Sequence, residues 1–125
     1  PQLFIMNKNG DNIKRISKGR GVYGNPVWSP RGDLIAFTKL TQGNFHIGVM
    51  DTNGNNERVI VRDFSLESPA WSPNGRYLIF HRQKRSNLDG TGGEVSIHFI
   101  DITGYNERVI PTPLDGSDPA WSPLL

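Results

Sequence analysis

The sequence predicts an all-β fold, a β-propeller fragment of about two and a half four-stranded blades with WD40-like repeats. The motif Pro-x-Trp-Ser-Pro occurs three times, starting at Pro26, Pro69 and Pro119, so its copies lie 43 and 50 residues apart. The pentapeptide Asn-Glu-Arg-Val-Ile is repeated identically at 56–60 and 106–110. One propeller blade needs roughly 40 to 50 residues, and repeats of this period are typical of that architecture. Helical periodicity is absent from the sequence.

The first two strands of each repeat, A and B, flank a turn that contains proline. Strand A is the Pro-x-Trp-Ser run, which we expect to end at the second proline of the motif because proline cannot donate to a strand ladder. A turn with proline first and glycine third follows at 30–33 and 73–76. Such turns reverse a chain between antiparallel strands. Strand B is therefore predicted at 34–38 and 77–81.

Strands C and D complete each repeat. Strand C is predicted where apolar residues alternate, as burial of one sheet face requires. Within it, Gly48 and His98 occupy equivalent places, which predicts a second face that packs closely against a neighbouring blade. An Asn-Gly or Thr-Gly turn leads on to strand D. The predicted ranges are 3–6, 45–50 and 95–100 for strand C, and 14–16, 58–61 and 108–110 for strand D.

This strand order predicts four segments along the chain. They are strands C and D of an incomplete blade at 1–19, full blades at 20–65 and 66–115, and a closing strand A at 116–125. A propeller needs about four to eight blades to close, so we expect the chain to be part of a larger ring. The partner strands of the closing strand are expected before Pro1, because an isolated strand leaves its backbone groups unpaired.

Composition and charge argue against several classes of function. The 14 Lys and Arg residues are interspersed with 12 Asp and Glu residues, and the only local basic cluster is Lys84-Arg85, extended by Arg82. A nucleic-acid footprint needs a basic stripe, so no nucleic-acid partner is predicted. The chain has no cysteine, and no stretch approaches the about 18 apolar residues of a membrane span. The glycine-rich segment 83–94 is predicted to be a mobile surface hairpin.

Catalytic and metal-binding signals are absent, so we predict neither an enzyme nor a cofactor. His46, His81 and His98 are scattered over predicted strands, with no hydrolase or metalloprotease motif around them. Residues 51–55 resemble a calcium loop, but the glycine is misplaced and no bidentate glutamate follows. We interpret this segment as the turn between strands C and D. The tryptophans of the three motifs are predicted to pack between blades; they are Trp28, Trp71 and Trp121.

The pattern Pro-x-Trp-Ser-Pro-x-Gly followed by an apolar strand resembles the repeat of the TolB propeller family. The segment 118–125 resembles the C-terminal end of that family. The resemblance implies a periplasmic, six-bladed propeller of the Tol-Pal system, with a signal peptide upstream of this segment. It also implies that the full-length protein binds the peptidoglycan-associated lipoprotein Pal and communicates with TolA, supporting outer-membrane integrity and cell division.

In the family, Pal docks over the loops that lead from strand D of one blade into strand A of the next. Tyr23 is the expected anchor, since tyrosine is enriched in interface hot spots. Glu67 and Asp118 either add acidic complementarity or cap turns. Carried onto this chain, the partner-binding residues are Val22, Tyr23, Gly24 and Asn25 in the first loop, Leu66, Glu67 and Ser68 in the second, and Gly116, Ser117 and Asp118 in the third.

Two alternatives stay open at this point. One is the propeller of a prolyl-oligopeptidase-like serine peptidase, in which the ring controls access of substrates to a hydrolase domain. The other is a stand-alone half-propeller whose copies associate through exposed blade edges. The repeat motif is shared with peptidase propellers, so the motif alone does not separate these readings.

Overall fold

A computed structural model describes residues 1–123, and every regular element in that range is a β-strand. No helix within it is long and apolar enough to cross a membrane. The strands form a small hairpin and two four-stranded sheets. The small hairpin is β1 (Phe4–Ile5) and β2 (Lys14–Arg15); the first sheet is β3 (Val22–Trp28), β4 (Leu34–Thr41), β5 (Asn44–Asp51) and β6 (Arg58–Asp63); the second sheet is β7 (Leu66–Trp71), β8 (Tyr77–Gln83), β9 (Val95–Asp101) and β10 (Arg108–Ile110).

Both sheets are antiparallel, and their strands follow one another in chain order. The order A, B, C, D expected for each repeat corresponds to β3 to β6 in the first sheet and to β7 to β10 in the second. The all-β prediction is therefore confirmed. The boundaries of the four segments along the chain stay predictions.

The first sheet is buried on both faces, as the mixed apolar pattern of strand C predicted. Successive side chains of a strand point to opposite faces. In β4, Ile35 and Phe37 face the small hairpin, whereas Ala36 between them faces the second sheet. Leu3 and Ile16 of the small hairpin region complete the first of these two cores. The first sheet is thus packed between two neighbours.

The core between the two sheets contains Trp71, the tryptophan of the second motif. Its side chain is only 6% exposed, and its Nε1 donates a hydrogen bond of 2.9 Å to the backbone oxygen of Val27 in the first sheet. This contact confirms the predicted packing of Trp71 between blades. Trp28 and Trp121 are 52% and 39% exposed. The other buried residues of this core are Ala36, Ile47, Val49 and Ile60 from the first sheet and Leu66, Leu78, Phe80 and Ile100 from the second.

Strand A begins earlier than the Pro-x-Trp-Ser motif, which corrects the sequence prediction. The ladder between β3 and β4 shifts its register between Gly24 and Val27, and the β7 ladder shifts between Glu67 and Ala70. These shifts are β-bulges, and each contains the first proline of a motif. A bulge leaves the proline out of the ladder, where its missing N–H costs nothing. Pairing then continues on the N-terminal side of the proline.

The closing strand predicted at 116–125 does not form in the described residues. Residues 116–123 carry no strand, and residues 124–125 lie outside the described range. A strand needs a neighbour to accept and donate its backbone hydrogen bonds. The described part of this segment has one such contact to the second sheet, from the Gly116 amide to the Val95 oxygen at 3.0 Å.

The segment that resembled a calcium loop is a turn between β5 and β6, as predicted. The carboxylate of Asp51 accepts hydrogen bonds from the amides of Asn53 and Asn55, both at 2.9 Å. Gly54 in this turn has a φ of +79°, and a Cβ there would lie 1.9 Å from the oxygen of Ile16. Glycine is therefore required where the turn meets the preceding repeat. Turns with the same backbone hydrogen bonds follow β1 and β9.

A polar cluster lies on the face of the first sheet that meets the small hairpin. Nζ of Lys39 lies 2.9 Å from Oε1 of Glu57, and the hydroxyl of Tyr23 donates to the same carboxylate at 2.9 Å. Burial raises the pKa of Tyr23. Burial alone would lower the pKa of Lys39, but the hydrogen bonds to Tyr23 and Glu57 outweigh it and raise that pKa. The three side chains thus supply one another's hydrogen-bond partners, as half-buried charged groups require.

The second sheet repeats this ion pair with different residues. Arg82 and Glu107 stand at the positions of Lys39 and Glu57, and Nη2 of Arg82 lies 2.6 and 2.8 Å from the two carboxylate oxygens. Nη1 of Arg82 also pairs with Asp63 at the end of β6. Arg82 therefore connects the second sheet to the first.

His98 adds a titratable group beside this ion pair. It stands at the position of Gly48, and its ring stacks on Phe80 with centroids 5.7 Å apart. Its Nδ1 lies 3.0 Å from Oε2 of Glu107. Burial lowers the pKa of His98 and outweighs the opposing charge of Glu107, while the charge of Arg82 lowers that pKa further. Neutral His98 is thus favoured in the folded chain.

We predict that Trp71→Ala destabilises the chain by about 3 to 5 kcal/mol, because it removes a buried aromatic side chain and leaves a cavity. Trp28→Ala is the matched control, since this half-exposed tryptophan occupies the same motif position in the other sheet. It should cost clearly less. The free energy of unfolding from urea titration measures both, and equal losses would contradict the assigned role of Trp71.

We predict that stability falls as the pH drops below the ordinary histidine pKa of 6.5, toward the lowered pKa of folded His98. The folded chain has the lower pKa at His98, so the unfolded chain takes up the proton first and is stabilised by it. His98→Gln should flatten the pH dependence in this window. Urea unfolding at several pH values measures it, and an unchanged slope in the variant would contradict the prediction.

Candidate partner-binding face

The connections into strand A and the hairpins between strands B and C lie at the same end of the sheets. In the first sheet the paired residues at this end are Val22, Leu40, Phe45 and Asp63. In the second sheet, the backbone amide of Gln83 donates a hydrogen bond to the backbone oxygen of Ser65 at the same end. We call this end the connection face; it comprises residues 16–21, 42–43, 64–68, 84–94 and 111–118.

The first predicted group lies in a strand, which corrects its assignment to a loop. Val22, Tyr23, Gly24 and Asn25 all belong to β3, because pairing with β4 continues past the bulge. Val22 is 45% exposed, whereas Tyr23 is only 1% exposed and its hydroxyl is bound to Glu57. The choice of Tyr23 as an exposed anchor is therefore wrong for this structure. Its apolar ring stabilises the core instead.

The second predicted group also lies in a strand rather than a loop, and it divides between core and surface. Leu66, Glu67 and Ser68 begin β7. Leu66 is fully buried in the core between the sheets, for the same reason that Tyr23 is buried at the equivalent position. Glu67 is exposed and Ser68 is half-buried. Only these two side chains can contact a partner.

The third predicted group meets the second. Gly116, Ser117 and Asp118 carry no regular structure. The hydroxyl of Ser68 donates to Oδ1 of Asp118 at 2.8 Å, and the hydroxyl of Ser117 approaches Oδ2 at 3.0 Å. These two hydrogen bonds lower the pKa of Asp118. An exposed carboxylate, oriented by two hydroxyls, therefore stands where two predicted groups join.

A shared backbone conformation marks this position in all three repeats. Asn25, Ser68 and Asp118 each precede the first proline of a motif, and their φ angles are 48°, 56° and 49°. Positive φ is uncommon outside glycine, and such residues cluster at bulges and functional sites. The three predicted groups thus contain one equivalent residue each. No side-chain hydrogen bond of the described residues links Asn25 to the other two.

The connection from β6 to β7, which leads from strand D into strand A, consists of residues 64–65 and so lies before the residues 66–68 that the sequence analysis assigned to it. Burial alone would raise the pKa of Asp63, but the Phe64 amide and Arg82 donate hydrogen bonds to its carboxylate and lower that pKa. The guanidinium of Arg85 lies 4.2 Å from the ring centroid of Phe64. No short sequence motif predicts these contacts, because Asp63 and Arg82 belong to different repeats.

The connection face carries exposed hydrogen-bonding side chains on loops beside the sheets. Among residues 1–123, no group of three or more His, Asp or Glu side chains is placed to hold a metal ion. His81 accepts a hydrogen bond of 3.2 Å from the Asp118 amide, so its Nδ1 stabilises the chain segment. Loops on a rigid scaffold can vary without disturbing the strands. Hydrogen-bonding side chains on such a scaffold suit recognition of another protein.

Sequence comparison finds related proteins that are described as members of the Tol-Pal system. A relative from Gluconobacter oxydans, described as "Tol-Pal system protein TolB", is 52% identical over 76 residues. The matched segment is 61% of this chain and 17% of that relative. The chain therefore corresponds to a small part of the relatives that it matches.

The fold is shared with solved propellers. A putative TolB from Agrobacterium tumefaciens superposes with a TM-score of 0.77 and 22% identity, covering 98% of this chain and 46% of that one. The acylaminoacyl peptidase of Pyrococcus horikoshii gives a TM-score of 0.66 at 20% identity, covering 86% of this chain and 20% of that one. At these identities the likeness shows the fold alone, and it confirms the predicted propeller fragment. Since the family model described as "TolB beta propeller domain" matches residues 1–125, the chain belongs to the TolB β-propeller family.

Proposed function

We propose that this chain is part of a periplasmic, protein-binding propeller of the Tol-Pal system. In this proposal it binds the lipoprotein Pal at the connection face and acts with TolA in outer-membrane integrity and cell division. Membership of the TolB family and the Tol-Pal relative from Gluconobacter oxydans support the assignment to this system. The binding role is a proposal from geometry.

The observation that carries the proposal is the junction of Ser68 with Asp118. Two segments that lie 50 residues apart in sequence present their polar side chains together at the connection face. Glu67 stands exposed beside Ser68. Ser68 lies in β7, and hydrogen bonds from the Gly116 and Asp118 amides attach the other segment to the same sheet, so binding requires less ordering of the chain.

We assign the residues of the proposed interface two roles. Glu67, Ser117 and Asp118 contact the partner directly, because they are exposed on the connection face. Tyr23 and Leu66 act indirectly, because each is buried at the start of a strand A and supports the exposed residues that follow it. The hydrogen bonds to Asp118 keep its carboxylate ionised and oriented toward a donor on the partner.

The peptidase alternative has no support beyond the shared fold. The likeness to acylaminoacyl peptidase is weaker than that to the putative TolB from Agrobacterium tumefaciens in both TM-score and coverage of this chain. We therefore propose a binding protein and not an enzyme.

We predict that Glu67→Ala and Asp118→Ala each weaken the binding of purified Pal by about tenfold, since each removes a charged hydrogen-bonding group from the interface. Asp33→Ala is the control, because this half-exposed carboxylate lies in the turn between β3 and β4, at the opposite end of the first sheet. Isothermal titration calorimetry on the full chain measures all three.

Two results would argue against the proposal in different ways. If the unsubstituted full chain does not bind Pal, the proposed function is wrong. If it binds Pal and all three variants bind with unchanged affinity, the assigned residues are wrong while the partner stands.

A further inference from the structure

A depression of about 410 Å³ opens on the connection face beside the proposed Pal site. It lies between the connection from β6 to β7 and the base of the hairpin from β8 to β9. We call it the Phe64 pocket. Its lining residues are Phe45, Phe64, Ser65, Gln83, Lys84, Arg85 and Ser86.

Two aromatic rings form the apolar part of the Phe64 pocket. Phe45 is half-buried in β5 and packs against the core between the sheets. Phe64 is 38% exposed, and its amide is bound to the carboxylate of Asp63 at 2.6 Å. Arg85 covers the Phe64 ring at 4.2 Å, a distance at which a cation is attracted to an aromatic face. Both rings are therefore held in place before any partner arrives.

The charged residues that line the pocket are all positive. Lys84 and Arg85 are exposed, and neither takes part in an ion pair among the described residues. Arg82 nearby is different, because Asp63 and Glu107 neutralise its guanidinium. No carboxylate lines the pocket. The pocket is thus positive at Lys84 and Arg85, although Arg85 also interacts with the charge of Asp63, next to Phe64, and helps to lower its pKa.

The hairpin that carries these cations is specific to the second sheet. The connection from β4 to β5 is only residues 42–43, whereas that from β8 to β9 is residues 84–94. A bridge between Ser86 and Gly92 and a hydrogen bond of 2.6 Å from the Asn87 amide to the Thr91 oxygen give it defined structure. Leu88 at its tip is fully exposed. The extra residues build one wall of the pocket.

We propose that the Phe64 pocket binds an acidic segment of a protein partner that presents one aromatic or branched aliphatic side chain. The apolar side chain enters between Phe45 and Phe64, and the acidic residues around it pair with Lys84 and Arg85. Interfaces combine an apolar centre with a polar rim in this way, and complementary charge speeds association and favours the correct partner.

The location connects the pocket to the function proposed above, on which this inference rests. Ser65 lines the pocket and directly precedes Leu66 and Glu67. A protein docked on Glu67 and Asp118 therefore has the pocket next to its site along β7. The pocket accounts for a hairpin that has no counterpart in the first sheet.

The test compares two double charge reversals in the full chain with purified Pal as the probe. K84E together with R85E should weaken binding at least about tenfold at low salt, and the loss should shrink as salt screens the charges. K8E together with R31E is the matched control, because it changes the net charge equally at exposed positions in turns at the opposite end of the sheets. It should leave affinity within about twofold. F64A should weaken binding at all salt concentrations, since its contribution is apolar.

Each outcome decides a separate point. Failure of the unsubstituted chain to bind Pal overturns the proposed function and this inference with it. If K84E/R85E and F64A both bind Pal as strongly as the unsubstituted chain does, and their unfolding midpoints are unchanged, the inference alone is overturned. The same holds if K8E/R31E weakens binding as much, because the effect is then only one of net charge. Vesicles containing phosphatidylglycerol serve as a second probe, and stronger dependence of vesicle binding on Lys84 and Arg85 would also overturn it.

Discussion

The structure depends on face-to-face packing of successive sheets. A four-stranded sheet of this size has two apolar faces, and each must be covered for the sheet to be stable. The first sheet meets this requirement because its alternate residues enter two separate cores. Trp71 strengthens the contact with a hydrogen bond to Val27 across the sheets. The connection face exists only because this packing holds the strand ends of both sheets side by side.

Equivalent positions keep the backbone while their side chains differ. Lys39 and Glu57 of the first sheet become Arg82 and Glu107 in the second. The change to arginine adds a second carboxylate partner, Asp63, from the neighbouring sheet. Arginine can do this because its guanidinium offers several donors in a fixed plane. The repeat thus preserves an ion pair and uses it in one sheet to join two sheets.

The connection face combines a rigid base with exposed groups that vary between repeats. Positive φ angles at Asn25 and Ser68 lie in the bulges that place the following proline outside the ladder, and Asp118 has the same backbone conformation before Pro119 although no strand forms there. The side chains at these positions are free to differ, since they lie beyond the packed cores. At two of these positions the side chains of Ser68 and Asp118 form a hydrogen bond with each other. The bulge is therefore a structural necessity that also positions the candidate site.

The sequence by itself determined the order of the strands within both sheets and the turns between them, because period-two burial, proline and glycine act over a few neighbouring residues. It also predicted that Trp71 packs between sheets, whereas Trp28 at the same motif position is half-exposed, so the motif position alone does not decide burial. Only the tertiary structure decided that Tyr23 is buried, that Arg82 reaches Asp63, and that residues 116–123 form no strand. These outcomes depend on which segment, distant in sequence, supplies a contact. Local sequence patterns do not identify that segment.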